Sequence, residues 1–172
     1  MKRLNKAGFT LIELLAVITI MGILMMVAIP SVSRTIENSR RDTFADNAMT
    51  YISTVRNSVL SDEVTCGGVT ASGTANGTYY FAIDTEAQQT KDIMERVATS
   101  SWGGARLTGY VKWVKTVDAS SGRTITTYYA CLRDTGNHGF SEETVEKDIS
   151  RSKILTAGAS DCTPSGTACT LK

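Results

Sequence analysis

Four cysteines and one histidine are the most reactive side chains in this sequence. The cysteines are Cys66, Cys131, Cys162 and Cys169. An even set is typical of a disulfide-bonded domain in an oxidising compartment. A zinc site is the alternative, but there is no Cys-x-x-Cys pair and His138 is the only histidine. We therefore expect two disulfides and neither a metal nor another cofactor.

Three pairings of the four cysteines are open. The segment between Cys162 and Cys169 contains Thr, Pro, Ser and Gly, which form turns that bring the ends of a segment together. This favours a Cys162–Cys169 disulfide and leaves Cys66 with Cys131. The sequence alone does not decide between the three.

No enzyme motif is found in the sequence. It lacks a Gly-x-Ser-x-Gly nucleophile elbow, a Gly-x-x-x-x-Gly-Lys phosphate loop and a His-Glu-x-x-His zinc motif. The residues Thr135-Gly-Asn-His-Gly139 are typical of a turn, and the preceding Asp134 fits the same turn chemistry. His138 is therefore predicted to be an exposed loop residue. A membrane-anchored enzyme is disfavoured, and we expect no catalytic residues.

The charge of the chain does not indicate nucleic-acid binding. The formal charge is only +1, so there is no global excess of basic residues to neutralise phosphates. Four basic residues do lie near one predicted hairpin: Lys112, Lys115, Arg123 and Arg133. They form a candidate DNA surface, but a solvated strand face explains them better. DNA is thus an unsupported partner.

A single carboxylate, Glu13, stands in an apolar run over residues 9–29. Such a run spans a bilayer core of about 30 Å as a helix. Lys2, Arg3 and Lys6 are clustered directly before the run, which predicts a cytoplasmic N-terminus and an external domain after Pro30. A carboxylate in a membrane helix costs about 2 to 3 kcal/mol, so we expect Glu13 to find a partner or to reach the interface.

A cleaved secretory signal is the alternative for this segment. Small residues follow the apolar run at positions 29–33, and a signal peptidase would leave a chain that starts after Ser33. The run is longer than a typical signal core. A membrane segment that is retained therefore fits better.

The helical pattern continues beyond Pro30 to about Leu60. One face of this helix repeats every three or four positions and is apolar except for Arg40. Its members are Ile36, Arg40, Phe44, Ala48, Ile52, Val55 and Val59. Residues 9–60 thus predict one helix of about 75 Å, interrupted at Gly22 and Pro30. Because this exceeds any compact domain of this size, its apolar half requires lipid or an assembly.

The second half of the chain predicts a small antiparallel sheet. Residues 110–117 alternate between two faces, and a turn at residues 118–122 joins them to a β-branched and aromatic run at residues 123–132. The other expectations are a loop at 66–77, a strand at 78–83, a second helix at 84–98, a short helix at 141–149 and an edge strand at 153–156.

The residues Gly8-Phe9-Thr10-Leu11-Ile12-Glu13-Leu14, behind a short basic leader, resemble the processing motif of type IV prepilins and pseudopilins. The resemblance covers roughly residues 1–60. It implies an α+β, type IV pilin-like fold, with a long N-terminal helix packed on a small antiparallel sheet. The implied domains are a leader at 1–8, a transmembrane or filament-core helix half at 9–30 and a globular domain at 31–172. In that domain, residues 31–60 are the amphipathic helix half and residues 61–172 hold the loop and sheet.

The resemblance also assigns roles to individual residues. A prepilin peptidase would cut after Gly8, and Phe9 would become the N-methylated first residue, as in the class called IVa. Glu13 would pair with the amine of a neighbouring subunit's first residue during assembly. Gly22 and Pro30 match positions where family helices melt in the filament.

These roles imply a subunit of a type IV pilus used in adhesion, twitching motility or DNA uptake. The alternative is a pseudopilin of a type II secretion pseudopilus, against which a Cys162–Cys169 loop would argue. The expected partners are copies of the chain in a helical filament, minor pilins, the prepilin peptidase, the cytoplasmic membrane and the assembly machinery. The precursor would cross the membrane once, and the mature form would be extracellular.

Overall fold

A computed structural model describes residues 10–87, 100–104 and 106–171. Helix α1 runs over Leu11–Leu60 and ends in a hydrogen-bonded cap. There Asp62, at φ +56°, donates from its backbone N–H to the carbonyl of Val59, and Glu63 donates to that of Ser58. These two hydrogen bonds form a Schellman motif. Asp62 occupies the left-handed position that glycine usually takes.

The predicted long helix is confirmed, but its predicted interruptions are not. Helix α1 continues through both Gly22 and Pro30. Proline at an interior position removes one N–H donor without necessarily ending the helix, because the neighbouring turns keep their own bonds.

The chain divides into two compact units between Ser39 and Arg40. In the second unit, α1 contributes buried residues at helical spacing, among them Phe44, Ala48 and Ile52. The predicted stripe was too long at its start, since Ile36 and Arg40 are exposed. Its remaining members are buried or half-buried, so the amphipathic pattern is real from Phe44 onward.

The described residues form one nine-stranded sheet in the order β2-β1-β9-β3-β4-β5-β6-β8, with β7 paired to β5. The strands are β1 (Val64–Cys66), β2 (Val69–Thr70), β3 (Gly77–Asp84), β4 (Leu107–Val117), β5 (Thr124–Asp134), β6 (Gly139–Phe140), β7 (Thr144–Val145), β8 (Ile154–Leu155) and β9 (Thr167–Leu171). All pairs are antiparallel except β3 with β9. The result is the α+β arrangement that the sequence predicts.

The predicted β4–β5 hairpin is the longest pairing in the sheet. Its register runs from Leu107 opposite Asp134 to Val117 opposite Thr124. Val111 and Trp113 are buried as expected, whereas Val117 is 42% exposed. The predicted strand at 78–83 and the edge strand at 153–156 are confirmed as β3 and β8.

Strand β9 lies between β1 and β3, although it follows every other strand in the sequence. Gly166, just before it, has φ +131°, and a Cβ at this position would lie 2.6 Å from the carbonyl oxygen of Thr78. Only glycine allows this approach. Strand β9 therefore joins the small β1–β2 pair to the main sheet.

The expected cysteine pairing is wrong. The disulfides are Cys66–Cys169, with 4.1 Å between Cα atoms, and Cys131–Cys162, with 5.2 Å. Cys66 and Cys169 are opposite each other on β1 and β9. Cys131 is on β5, four strand spacings or about 19 Å from β1 along the sheet, beyond the reach of a disulfide with Cys66.

Three short-range predictions also fail or cannot be followed. The expected helix at 141–149 is instead β7 and a 3-10 turn at Glu146–Asp148, because β7 pairs with β5. The loop expected at 66–77 contains β2. Most of the helix expected at 84–98 lies outside the described residues, and Asp84 ends β3.

Candidate processing and assembly site

Helix α1 begins with a reciprocal cap made by Thr10 and Glu13. The Thr10 backbone N–H and hydroxyl each donate to Glu13 Oε2 at 2.8 Å. The Glu13 N–H donates back to Thr10 Oγ1 at 3.3 Å, and Leu14 N–H donates to the Thr10 carbonyl. This is a capping box, with Thr10 as N-cap and Glu13 three residues into the helix.

The cap gives Glu13 a structural task in the single chain. Its negative charge lies at the positive end of the helix dipole, where a carboxylate is stabilising. Glu13 and its neighbours are exposed; Leu11 is 84% exposed and Leu14 is 61% exposed. The carboxylate is therefore held in place at the surface of an apolar helix end.

The first unit of the chain presents an apolar surface. Helix α1 is long and apolar enough to cross a membrane, and its most apolar stretch has a mean hydropathy of 2.6 with none of it buried. Exposed side chains include Ile18, Ile23 and Met26. An exposed apolar surface of this length is unstable in water and requires lipid or other helices around it.

Gly22 and Pro30 both weaken this helix. A Cβ added at Gly22 would meet no atom within 4 Å, so the glycine is not required for packing in the single chain. It costs about 1 kcal/mol of helix stability relative to Ala. Pro30 removes the bond to the carbonyl four residues before it.

A family model of the prokaryotic N-terminal methylation motif matches residues 3–29. The chain carries the type IV prepilin motif. The motif is the signature of type IV pilin and pseudopilin precursors. Searches of curated proteins and of solved structures found no match for the chain.

The prepilin motif contains most of the predicted site. Gly8, Phe9, Glu13 and Gly22 fall within the matched range, and Pro30 lies one residue beyond it. Gly8 and Phe9 lie outside the residues that the structure describes. Thr10 was missed by the sequence analysis, although the pattern Thr-x-x-Glu before an apolar run is a recognisable capping signal.

His138 is not the simple exposed loop residue that the sequence predicts. Its ring stacks on Trp102 with centroids 4.5 Å apart and planes at 3°. Its Nδ1 lies 2.9 Å from a carboxylate oxygen of buried Asp134. The surrounding turn is confirmed, and the Gly136 and His138 backbone N–H groups donate to Asp134.

Asp134 is the anchor of this turn. Burial raises the pKa of Asp134. The hydrogen bonds from Ser100, at 2.6 Å, and from His138 have a larger opposite effect, so the pKa is below its usual value. This combination of serine, histidine and carboxylate does not form a relay, because Ser100 and His138 both bind the same carboxylate. It holds the loop and has no nucleophile activated by a base.

Three of the four basic residues near the hairpin have partners in the domain. Lys112 pairs with Glu143 and lies over the ring of Tyr129. Lys115 donates to the carbonyl of Thr74 at 2.8 Å. Arg133 pairs with Asp161, and Arg123 is exposed. Lys112, Lys115 and Arg133 therefore interact with groups of the domain itself, which does not favour the candidate DNA surface.

No metal site is found in the described ranges. Within residues 10–87, 100–104 and 106–171, no group of three or more His, Cys, Asp or Glu side chains is placed to hold an ion. All four cysteines are used in the two disulfides.

Proposed function

We propose that this chain is a structural subunit of a type IV pilus. The observation that carries the proposal is the prepilin motif at residues 3–29, directly at the start of an exposed apolar helix. The motif implies cleavage by a prepilin peptidase, and the helix provides the surface that copies of the chain bury on assembly.

In this proposal the peptidase cuts between Gly8 and Phe9, and the new amine of Phe9 is methylated. The precursor spans the cytoplasmic membrane once, with its N-terminus in the cytoplasm. The extracted helix then packs against the helices of other copies, because its apolar side chains are stable only in lipid or in such a bundle.

Glu13 sets the register between subunits. Its carboxylate pairs with the Phe9 amine of a neighbouring copy. In an apolar filament core a charge that lacks its partner costs about 3 to 5 kcal/mol, so wrong registers are strongly disfavoured. The bonds from Thr10 to Oε2 support this role, since they fix the carboxylate before a second subunit arrives.

Gly22 and Pro30 give the filament its extensibility. Both lower helix stability, and a Cβ added at Gly22 would meet no atom within 4 Å, so no packing in the single chain depends on this position. The segment between them melts at low cost when the helices are packed or pulled.

The choice of a pilus over a pseudopilus no longer has the support of a Cys162–Cys169 loop, because that loop does not form. What supports the pilus is the way both disulfides fix the C-terminal segment to the sheet. Crosslinks over 31 and 103 residues stabilise a domain that must remain folded outside the cell.

The test compares Glu13→Gln with Thr10→Ala in sheared filaments. Glutamine at this position retains the capping box but removes the charge, whereas Thr10→Ala removes the cap and retains the charge. Loss of the subunit pairing predicts at least a hundredfold fall in filament yield for Glu13→Gln. Thr10→Ala should fall much less, since a lost cap costs about 1 kcal/mol.

Immunoblots of the membrane fraction provide the control for expression and cleavage. If Glu13→Gln filaments form at the normal yield with normal precursor levels, the charge has no part in assembly. If Thr10→Ala abolishes filaments as completely as Glu13→Gln, the helix cap is required as much as the charge, and the difference expected between the two variants is wrong.

A further inference from the structure

The two disulfides of this chain are nested. Cys131–Cys162 links residues 31 apart and lies wholly inside the loop closed by Cys66–Cys169, whose ends are 103 apart. Cysteines that pair in the order in which they leave the membrane would instead form Cys66–Cys131 and Cys162–Cys169. The native bridges therefore contradict the order of export.

Chain statistics favour the wrong bonds in the unfolded chain. Cys162 is seven residues from Cys169 but 31 from its native partner. Loop-closure entropy varies as 3/2 RT ln n, which makes the short bond about ninefold more probable than the native one. For Cys66, the bond to Cys131 over 65 residues is about twofold favoured over Cys169 at 103.

Native strand pairing brings Cys66 and Cys169 together only late in folding. Cys169 reaches Cys66 only when β9 has entered between β1 and β3, and β9 follows all the other strands in the sequence. A Cys66–Cys131 bond would join β1 to β5 across β9, β3 and β4, over about 19 Å of sheet. The sheet cannot close while that bond is present, so a wrongly paired chain is trapped.

We propose that the chain requires a thiol–disulfide isomerase in the compartment where its domain folds, and that this enzyme acts before assembly. The inference rests on the proposed function only in placing the domain on the oxidising side of the membrane. A thiol oxidase that supplies both disulfides is not sufficient, because it forms bonds in the order of export.

The exchange balances without any net oxidation. The isomerase thiolate attacks Cys162 Sγ, forms a mixed disulfide and releases Cys169 as a thiolate. The Cys169 thiolate attacks Cys66 Sγ in the Cys66–Cys131 bond and releases the Cys131 thiolate. The Cys131 thiolate then attacks Cys162 Sγ, which forms the second native bond and returns the isomerase thiolate.

The test is a disulfide map of the full chain made in cells that have the oxidase, with and without the isomerase. Free thiols are alkylated during a short pulse, before any degradation, and the chain is digested with trypsin without reduction. Trypsin leaves peptides 57–91, 124–133 and 154–172, and the last of these contains both Cys162 and Cys169. Native pairing therefore joins all three peptides.

The wrong pairing gives a different digest, in which peptide 154–172 is internally bonded and the other two are joined to each other. Without the isomerase we expect this product to exceed the native one about ninefold, and with the isomerase we expect the reverse. Fragmentation between Cys162 and Cys169 separates native pairing from the third alternative. Native pairing in both strains, or wrong pairing in both, overturns the proposal.

The variant Cys131→Ser with Cys162→Ser is the matched control, because it leaves only one disulfide to form. Its Cys66–Cys169 bond should form equally in both strains, and a dependence on the isomerase here would contradict the account. The N-terminus of the same samples tests the proposed function separately. A chain that is not cut at Gly8 refutes that function while leaving the disulfide result to be judged alone.

Discussion

Removing the Cys66–Cys169 bridge should destabilise the domain more than any single surface change. The double variant Cys66→Ala with Cys169→Ala avoids a free thiol and opens the loop of 103 residues. With Cys131–Cys162 still closed, the effective loop is roughly 70 residues. Loop entropy then gives a loss of about 4 kcal/mol in the free energy of unfolding.

Denaturant unfolding of the full chain in mild detergent measures this loss. Tryptophan fluorescence reports the C-terminal unit alone, because Trp102 and Trp113 are the two tryptophans of the chain. The midpoint should fall strongly, and the m value should rise because the unfolded chain is less constrained. A loss below about 1 kcal/mol would refute the loop argument.

Counting thiols gives an independent check on the pairing itself. In the Cys66→Ala, Cys169→Ala variant, Cys131 and Cys162 remain bonded, so a thiol reagent should find no free thiol. In the variant Cys162→Ala with Cys169→Ala, made in cells that contain the isomerase and recovered as the folded chain, it should find two. The opposite pattern in the two variants would restore the pairing that the local turn residues favour.

Three further changes have defined outcomes. Gly22→Ala should slow amide hydrogen exchange between Gly22 and Pro30 in the detergent-solubilised single chain about fivefold, since it adds about 1 kcal/mol of helix stability where the new Cβ meets no atom within 4 Å. Hydrogen bonds hold the pKa of Asp134 below its usual value. Its contribution to the free energy of unfolding is therefore complete above about pH 4 and is lost as the pH falls through the lowered pKa. Asp134→Asn should therefore lower the thermal midpoint near neutral pH and flatten its fall in acid. Lys112→Met should cost about 1 kcal/mol in denaturant unfolding, because it removes the Glu143 ion pair and the contact with the Tyr129 ring.

Each of these changes has a control on the same chain. Ala16→Gly, in the exposed apolar half of α1, should speed local exchange instead of slowing it. Asp161→Asn should lower the thermal midpoint near neutral pH much less than Asp134→Asn, since the Asp161 side chain is 87% exposed. Lys147→Met, at an exposed position, should be nearly neutral. Equal effects of a variant and its control would contradict the corresponding explanation.

Local patterns in the sequence predicted the parts of the fold that depend on neighbouring residues. The helix followed from a period of three to four residues, and the β4–β5 hairpin from alternation on both sides of a turn. The cap made by Thr10 and Glu13 was equally local and readable from the pattern Thr-x-x-Glu.

Contacts between distant residues could not be predicted in this way. The entry of β9 between β1 and β3 depends on a pairing over more than 100 residues, and turn formers between Cys162 and Cys169 pointed to the wrong bond. His138 was predicted to be exposed because its stacking partner, Trp102, is far away in the sequence. Segment 141–149 became a strand and a turn because β5 offered a pairing edge.

The N-terminus of the protein in sheared surface filaments tests the central claim most directly. Intact mass and N-terminal sequencing should show a chain that starts at methylated Phe9 and lacks the first eight residues. A filament fraction without the chain, a chain that starts after Ser33, or only the uncut membrane form would contradict the proposal that it is a processed pilus subunit.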